Sequence, residues 1–235
     1  MTGIFVTATG TEIGKTYVSS HLLSTVRNEL VPSKPIITGW PSLSEEVANT
    51  DSALLLKASG YPLTPKNIDW VSPWRFSLPL TPDMAALAEG REIDIEKLLD
   101  FCKRREQWAM TQHKQHLIEG VGGLMSPIWG RFTNLEWIKA LNYRCILVTG
   151  SYLGSLNHTL CALKVLANEK VTVGALVVNE TPTSTVSLHE TCDYYKKHVD
   201  CEVIAIPRHE KISGTNYSIW HKMATLLVSK HVSDV

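Results

Sequence analysis

The feature that most constrains this chain is a phosphate-binding motif between a short apolar run and a helix-like stretch. Residues 9–16 read Thr-Gly-Thr-Glu-Ile-Gly-Lys-Thr. Backbone N–H groups at a helix N-terminus attract anions, Lys15 adds a full positive charge, and the Thr16 hydroxyl occupies the usual position of a Mg²⁺ ligand. The standard pattern has glycine five residues before Gly14, where this chain has Thr9. The motif therefore predicts a variant P-loop.

Apolar runs that suit buried parallel strands alternate with helix-like stretches along the chain. We predict strands at Gly3–Thr7, Pro35–Thr38, His116–Glu119, Cys145–Thr149, Val173–Val178 and Val203–Ile206. We predict helices at Lys15–Leu30, Asp51–Ala58, Thr81–Glu89, Ile95–Gln112, Leu135–Leu141, Asn157–Ala167, Ser187–His198 and Tyr217–Lys230. This alternation is typical of an α/β fold with a doubly wound, mostly parallel sheet, here in P-loop NTPase-like form. We predict a single domain that spans residues 1–235.

The composition argues against nucleic-acid and membrane partners. The chain has 23 basic and 23 acidic residues, so its formal net charge is zero and no global field attracts polyanions. No apolar segment is long enough to span a bilayer, and the chain enters its first strand without a signal peptide. Its five cysteines include no Cys-x-x-Cys pair, which favours reduced thiols. We therefore expect a cytoplasmic protein.

Acidic residues fall where ligands of a parallel α/β sheet bind, just beyond the carboxyl ends of strands. Asp51 follows the second predicted strand, and Glu119 ends the third and precedes Gly120-Val121-Gly122-Gly123. A hydroxyl and two carboxylates are the hard oxygen ligands that Mg²⁺ takes. Thr16, Asp51 and Glu119 together predict a metal–nucleotide site, and the glycines allow a phosphate or substrate to approach the backbone.

Lys34 has two interpretations. A lysine at the start of a strand is usually exposed on the surface. A second lysine near a P-loop can instead neutralise charge on a transferring phosphoryl group. In that case Thr38 and Gly39 would form part of the acceptor pocket.

These residues belong to blocks that resemble those of dethiobiotin synthetases. The blocks are Phe5-Val6-Thr7, Gly14-Lys15-Thr16, Lys34-Pro35-x-x-Thr38-Gly39, Asp51, Glu119-Gly120-x-Gly122-Gly123, Leu153-Gly154-x-x-Asn157-His158 and Val178-Asn179. They occur in the family's order and with suitable spacing, from the first strand to Ile206-Pro207. The resemblance therefore covers nearly the whole chain.

The resemblance implies an ATP-dependent cyclo-ligase of biotin synthesis. The family converts 7,8-diaminononanoate, CO₂ and Mg·ATP to dethiobiotin, ADP and phosphate. One amine takes up CO₂ as a carbamate, the carbamate oxygen attacks the γ-phosphoryl group, and the second amine closes the ureido ring. One anion attacks another in this reaction, so fixed positive charge and Mg²⁺ must offset their repulsion. The resemblance also implies a homodimer.

Individual roles follow from the same resemblance. The catalytic residues would be Lys34 and Lys15, and the metal ligands Thr16, Asp51 and Glu119. ATP would contact Glu12, Ile13, Gly14, Lys15, Thr16, Tyr17, Asp51, Glu119, Gly120, Val121 and Gly122, with Asn179, Pro207, Arg208 and His209 at the adenine end. Thr38 would contact the diamine or its carbamate. Gly154 and Asn157 would lie near the substrate carboxylate at a two-fold interface.

The chain departs from the family pattern at several positions. The family usually reads Gly-Thr-Asp-Thr where this chain has Ala8-Thr9-Gly10-Thr11. A positive φ at residue 8 would strain Ala8, whereas a β conformation would make the change mild. Asp83 replaces a histidine in a proline-rich loop that resembles the family's substrate loop, and Thr133-Asn134-Leu135 lacks the usual acidic residue. The histidine pair His113 and His116 is interpreted as surface residues.

Two alternatives remain at this stage. The first is a related ATP-dependent ligase that acts on a different amine or acid. The second is a nucleotide switch of the partitioning-ATPase type. Residues 8–10 lack that class's extra lysine early in the loop, which disfavours the switch.

Overall fold

The computed structural model describes residues 3–208 and 214–228. The strands are β1 (Gly3–Ala8), β2 (Leu30–Ser33), β3 (Ile36–Thr38), β4 (Trp74–Phe76), β5 (Gln115–Glu119), β6 (Pro127–Trp129), β7 (Phe132–Thr133), β8 (Arg144–Gly150), β9 (Val173–Asn179) and β10 (Val203–Ile206). The helices are α1 (Lys15–Thr25), α2 (Asp51–Ala58), α3 (Pro65–Val71), α4 (Pro82–Ala88), α5 (Ile95–Thr111), α6 (Asn134–Leu141), α7 (Ser155–Asn168), α8 (Leu188–Lys196) and α9 (Gly214–Leu227). A 3₁₀ helix spans Ser44–Asn49.

Six strands form the central sheet in the order β10-β9-β8-β1-β5-β2, and every pairing is parallel. All residues of β1 are buried, and successive side chains point to opposite faces. Ile4 and Val6 join a cluster with α1, α2 and α9, whereas Phe5 joins a cluster with α4 to α8. Helices therefore cover both faces, and the predicted doubly wound α/β fold is confirmed.

The second predicted strand was placed incorrectly. We expected a helix over Lys15–Leu30 and a sheet strand over Pro35–Thr38, but α1 ends at Thr25 and Leu30–Ser33 forms the sheet strand. The segment Ile36–Thr38 pairs with β4 in a separate two-stranded sheet. Pro32 lacks an N–H, and β2 tolerates it because this edge strand pairs only with β5. Lys34 consequently follows a sheet strand rather than beginning one.

Two local expectations are also settled by the structure. Ala8 ends β1 in extended conformation without a positive φ, so the replacement of glycine causes no strain there. His116 is fully buried rather than exposed, and its ring nitrogens lie 2.8 Å from Ser33 Oγ and 3.0 Å from the Tyr143 hydroxyl. Burial holds the pKa of His116 well below its usual value. Within the described ranges, no helix has the length and apolar character needed to cross a membrane.

Candidate functional site

The P-loop connects β1 to α1 through residues in left-handed conformation. Gly14 has φ 95° and immediately precedes α1, and Glu12 has φ 58°. Glycine suits its position because a Cβ there would lie 2.3 Å from Asn179 Nδ2. A turn of this kind that leads into a helix N-terminus is the backbone arrangement that binds phosphate.

Lys15 lies at the first position of α1 and is only 7% exposed. Its ammonium donates a hydrogen bond to the carbonyl of Gly10 over 3.3 Å. Burial, together with the nearby charge of Lys34, lowers the pKa of Lys15 to about 8, although Glu119 and Asp51 partly oppose this. The group is therefore mainly charged at neutral pH and loses its proton in mildly alkaline solution.

Three oxygen-bearing side chains meet beside this lysine. Thr16 Oγ1 lies 2.8 Å from Asp51 Oδ1 and 2.8 Å from Glu119 Oε1. A hydroxyl has one proton and donates to only one of two carboxylates at a time. The second carboxylate oxygen of Glu119, Oε2, is buried and has no hydrogen-bond partner within the part of the chain that the structure describes. A cation would satisfy these oxygens, and a hydroxyl with two carboxylates suits Mg²⁺, whose remaining positions go to water and phosphate.

Lys34 is buried, so the interpretation as a surface residue is wrong. Its side chain is 4% exposed, and its Nζ lies 2.6 Å from Glu119 Oε1 and 3.1 Å from Asp51 Oδ2. It also donates to the carbonyl of Gly120 over 3.0 Å. Burial alone would lower the pKa of Lys34, but the two carboxylates raise it above its usual value. Burial would likewise raise the pKa of Asp51, but Lys34 and the Thr16 hydrogen bond lower it. The lysine and the aspartate therefore stay charged at neutral pH.

Two cavities meet at the P-loop. The smaller, of about 300 Å³, is lined by Thr11, Glu12, Gly14, Lys15, Thr16, Lys34, Ile37, Thr38, Asp51, Val121 and Gly122. Most residues predicted for metal, phosphate and substrate therefore surround one space. Glu12 and Gly14 also line the larger cavity. The P-loop thus forms a wall shared by both.

The larger cavity, of about 780 Å³, extends from the P-loop to the ends of β9 and β10. It is lined by Ile13, Tyr17, Asn179, Pro207 and Arg208 among others, which are residues that the resemblance assigns to ATP contact. Asn179 Nδ2 donates to the carbonyl of Ile13 over 2.6 Å, and Asn179 Oδ1 is buried without a hydrogen-bond partner among the described residues. Asn179 lines the cavity, and its amide oxygen retains the capacity to accept a hydrogen bond. His209, also predicted here, lies outside the described residues.

Gly154 and Asn157 are not brought together with Lys34 and Thr38 within one chain. Gly154 has φ 96° and precedes α7. Asn157 lies on a different groove, of about 1070 Å³, between α7, the start of β9 and residues 198–201. Apolar side chains such as Leu163 line much of this groove.

The sequence analysis did not assign some residues that line the site, and it gave Asp83 a different setting from the one in the structure. Tyr152 and His158 both line the larger cavity, and the Tyr152 hydroxyl lies 2.9 Å from His158 Nδ1. Both follow β8, so the strand-end rule that found Glu119 would also have found them. Asp83 instead acts locally, because its Oδ1 accepts from the Thr81 hydroxyl and the Met84 N–H at the start of α4.

Comparison with known proteins places the chain in a family. A family model described as "AAA domain" matches residues 2–216. The ATP-dependent dethiobiotin synthetase BioD of Methylobacterium nodulans is 40% identical over 212 residues, which is 88% of this chain and 94% of the relative. The chain belongs to the dethiobiotin synthetase family. The synthetase of that name from Acidiphilium cryptum is 37% identical over 85% of this chain and 89% of its own length.

Among solved structures, a ParA family ATPase from Chlorobium tepidum TLS aligns with 97% of this chain and 92% of its own. The TM-score is 0.49 and the sequence identity is 11%. Membership of the synthetase family therefore rests on the sequence relatives.

Proposed function

We propose that this protein is an ATP-dependent dethiobiotin synthetase, which closes the ureido ring of dethiobiotin from 7,8-diaminononanoate and CO₂. The observation that carries the proposal is the buried Lys34 ammonium, held between Asp51 and Glu119 beside Lys15 and Thr16. A chain of this family needs fixed positive charge at the point where a carbamate meets a γ-phosphoryl group. A cytoplasmic location accompanies this proposal, because the reaction consumes ATP.

ATP would lie across both cavities, with its phosphates at the P-loop. Gly14, Lys15 and Thr16 would bind the β- and γ-phosphates through backbone N–H groups and the lysine ammonium. The adenine would enter the larger cavity, where the unpaired Asn179 Oδ1 can accept a hydrogen bond from an amino group. Pro207 and Arg208 would flank the base there.

Mg²⁺ would be held by Thr16 Oγ1 and the carboxylates of Asp51 and Glu119. The ion would supply positive charge to the β- and γ-phosphate oxygens during transfer. Binding there would displace the present contacts between Thr16 and the two carboxylates. Lys34 would keep its bond to the carbonyl of Gly120 and could turn an N–H towards the γ-phosphate.

The smaller cavity would hold the reacting groups. A carbamate oxygen attacks the γ-phosphorus and ADP leaves, which gives a carbamic–phosphoric anhydride. The second amine then attacks the carbonyl carbon, phosphate leaves, and the ring closes. Lys15 and Lys34 stabilise the negative charge that builds up on the transferring group, and Thr38 contacts the diamine or its carbamate.

We also propose a homodimer that completes the substrate site. Asn157 and the apolar groove of α7 are separated from Lys34 within a chain, and Leu153 at the start of this region is 83% exposed. A second copy packed against this face would bury the apolar surface and bring Gly154 and Asn157 towards the substrate carboxylate. Light scattering tests this, and Leu163→Asp in the groove should give monomers.

The function is tested by incubating purified protein with Mg·ATP, bicarbonate and 7,8-diaminononanoate. We expect equal amounts of dethiobiotin, by mass spectrometry, and ADP, and no product when the diamine or bicarbonate is omitted. Release of ADP at the same rate without diamine would contradict the proposal and favour a nucleotide switch. Diamine-dependent turnover without dethiobiotin would favour a related ligase.

A further inference from the structure

Asn134, the first residue of α6, is buried beneath the loop that follows Glu119. Its side chain is fully inaccessible to solvent, and its Nδ2 donates to the carbonyls of Val121 and Gly123, each over 2.7 Å. Because both partners are carbonyl oxygens, the atom between them must be the amide nitrogen. The two protons of one amide therefore hold two carbonyls of the same loop.

This loop has little freedom to take another path. A Cβ on Gly120 would lie 2.7 Å from the Phe5 ring and 2.9 Å from Asn134 Oδ1, so the backbone fits closely between the two side chains. Further along, the N–H of Gly123 donates to Ser126 Oγ over 2.8 Å. Asn134 therefore contacts the loop at both of its ends.

The opposite side of the same loop faces the proposed metal and phosphate site. Glu119 immediately precedes it, and the carbonyl of Gly120 accepts the hydrogen bond from Lys34 Nζ. Val121 and Gly122 line the smaller cavity. A shift of the loop would consequently move the Glu119 carboxylate and the carbonyl that orients Lys34.

We propose that Asn134 is a positioning residue for the metal–phosphate site, acting through the loop of residues 120–123. The identity of the ligands rests on the proposed function, whereas the contacts of Asn134 do not. An aspartate at this position would keep the shape of the side chain but would place an acceptor oxygen against two carbonyl oxygens. Groups that support metal ligands in this way typically affect metal affinity or activity about 10- to 100-fold.

The test compares Asn134→Asp with Thr133→Val. Thr133 caps the same helix, with its hydroxyl oxygen accepting from the Leu135 N–H, and so serves as a control for damage to α6. ATP binding to each protein is measured by calorimetry in EDTA and in Mg²⁺. We expect Asn134→Asp to reduce the Mg²⁺-dependent gain in ATP affinity about 10- to 100-fold. Affinity in EDTA should change far less, and Thr133→Val should keep the full gain.

An equal loss of affinity with and without Mg²⁺, or the same loss in Thr133→Val, would overturn the proposal. If Asn134→Asp does not fold, Asn134→Leu, which removes both hydrogen bonds without adding a charge, should change the Mg²⁺-dependent gain in the same direction. Dethiobiotin formation by the wild-type protein is measured separately. Failure of that reaction would count against the proposed function and leave the binding result for Asn134 valid.

Discussion

Replacement of Lys34 by methionine tests the charge arrangement of the site most directly. The ammonium is the buried partner of two carboxylates, and the Glu119 side chain is fully buried. Removing one member of a buried ion pair leaves an uncompensated charge and costs about 3–5 kcal/mol. For a chain of this size that cost corresponds to a fall in the unfolding midpoint of about 6–20 °C in EDTA. Mg²⁺ should restore part of this loss, since it would supply positive charge to the same carboxylates.

The matched control is Lys139→Met. Lys139 forms an ion pair with Glu169, but both side chains are about 40% exposed, so this change should alter the midpoint little. Thermal unfolding of both variants and the wild type in EDTA and in Mg²⁺ gives the comparison. The turnover number of Lys34→Met, measured well below its midpoint, should fall about 100- to 1000-fold. The reasoning is refuted if Lys34→Met is no less stable than Lys139→Met, or if it retains full turnover.

Three further predictions concern the nucleotide. The pKa of Lys15 is about 8, and bound phosphate favours the charged form of this lysine. ATP binding at pH 9 should therefore take up nearly one proton, and the affinity for ATP should fall as the pH rises through 8. Calorimetry in buffers of different ionisation enthalpy measures proton uptake, and the part that depends on Lys15, taken as the wild-type value minus that of Lys15→Arg, should vanish at pH 6.5. Asn179→Leu should raise the KM for ATP about tenfold and leave kcat nearly unchanged, which steady-state kinetics with ATP measures. A lower kcat at unchanged KM would contradict the proposed contact between Asn179 and the adenine. Gly14→Ala should abolish calorimetric ATP binding and cost about 1–3 kcal/mol in denaturant unfolding, because its φ is 95° and a Cβ would collide with Asn179.

Local sequence patterns were sufficient for five strands of the central sheet but not for the edge strand β2. Buried apolar runs marked β1, β5, β8, β9 and β10, whereas the run that forms β2 contains Pro32 and follows a helical pattern without a strong stop signal. Pro32 has no N–H to donate, so a sheet strand accommodates it only where that donor is not needed. β2 accommodates Pro32 because this strand lies at the edge of the sheet, and that position is a property of the assembled sheet rather than of the local sequence.

The same limit applies to the site. The strand-end rule identified Thr16, Asp51 and Glu119, which the structure brings together around one hydroxyl. It did not determine whether Lys34 is buried or exposed, because its main partner Glu119 is 85 residues away in the sequence. The role of Asn134 was missed for a similar reason. Its two hydrogen bonds depend on the path of a loop that becomes defined only when α6 packs against it.

β1 lies between β8 and β5 in the central sheet, so strands from the earlier part of the sequence lie on one side of it and strands from the later part lie on the other. Lys15 and Thr16 follow β1 itself, and on one side of β1 the strands β2 and β5 place Lys34 and Glu119; all of these residues, and Asp51, precede residue 134 in the sequence. On the other side, the ends of β8, β9 and β10 contribute Gly150, Asn179 and Ile206 to the larger cavity, whose other walls include the P-loop, Pro207 and Arg208. On the proposed function, changes within residues 144–208 would alter nucleotide preference while Lys15, Lys34 and the three proposed metal ligands stay intact. That stretch is therefore the segment to exchange between relatives in order to engineer such a preference.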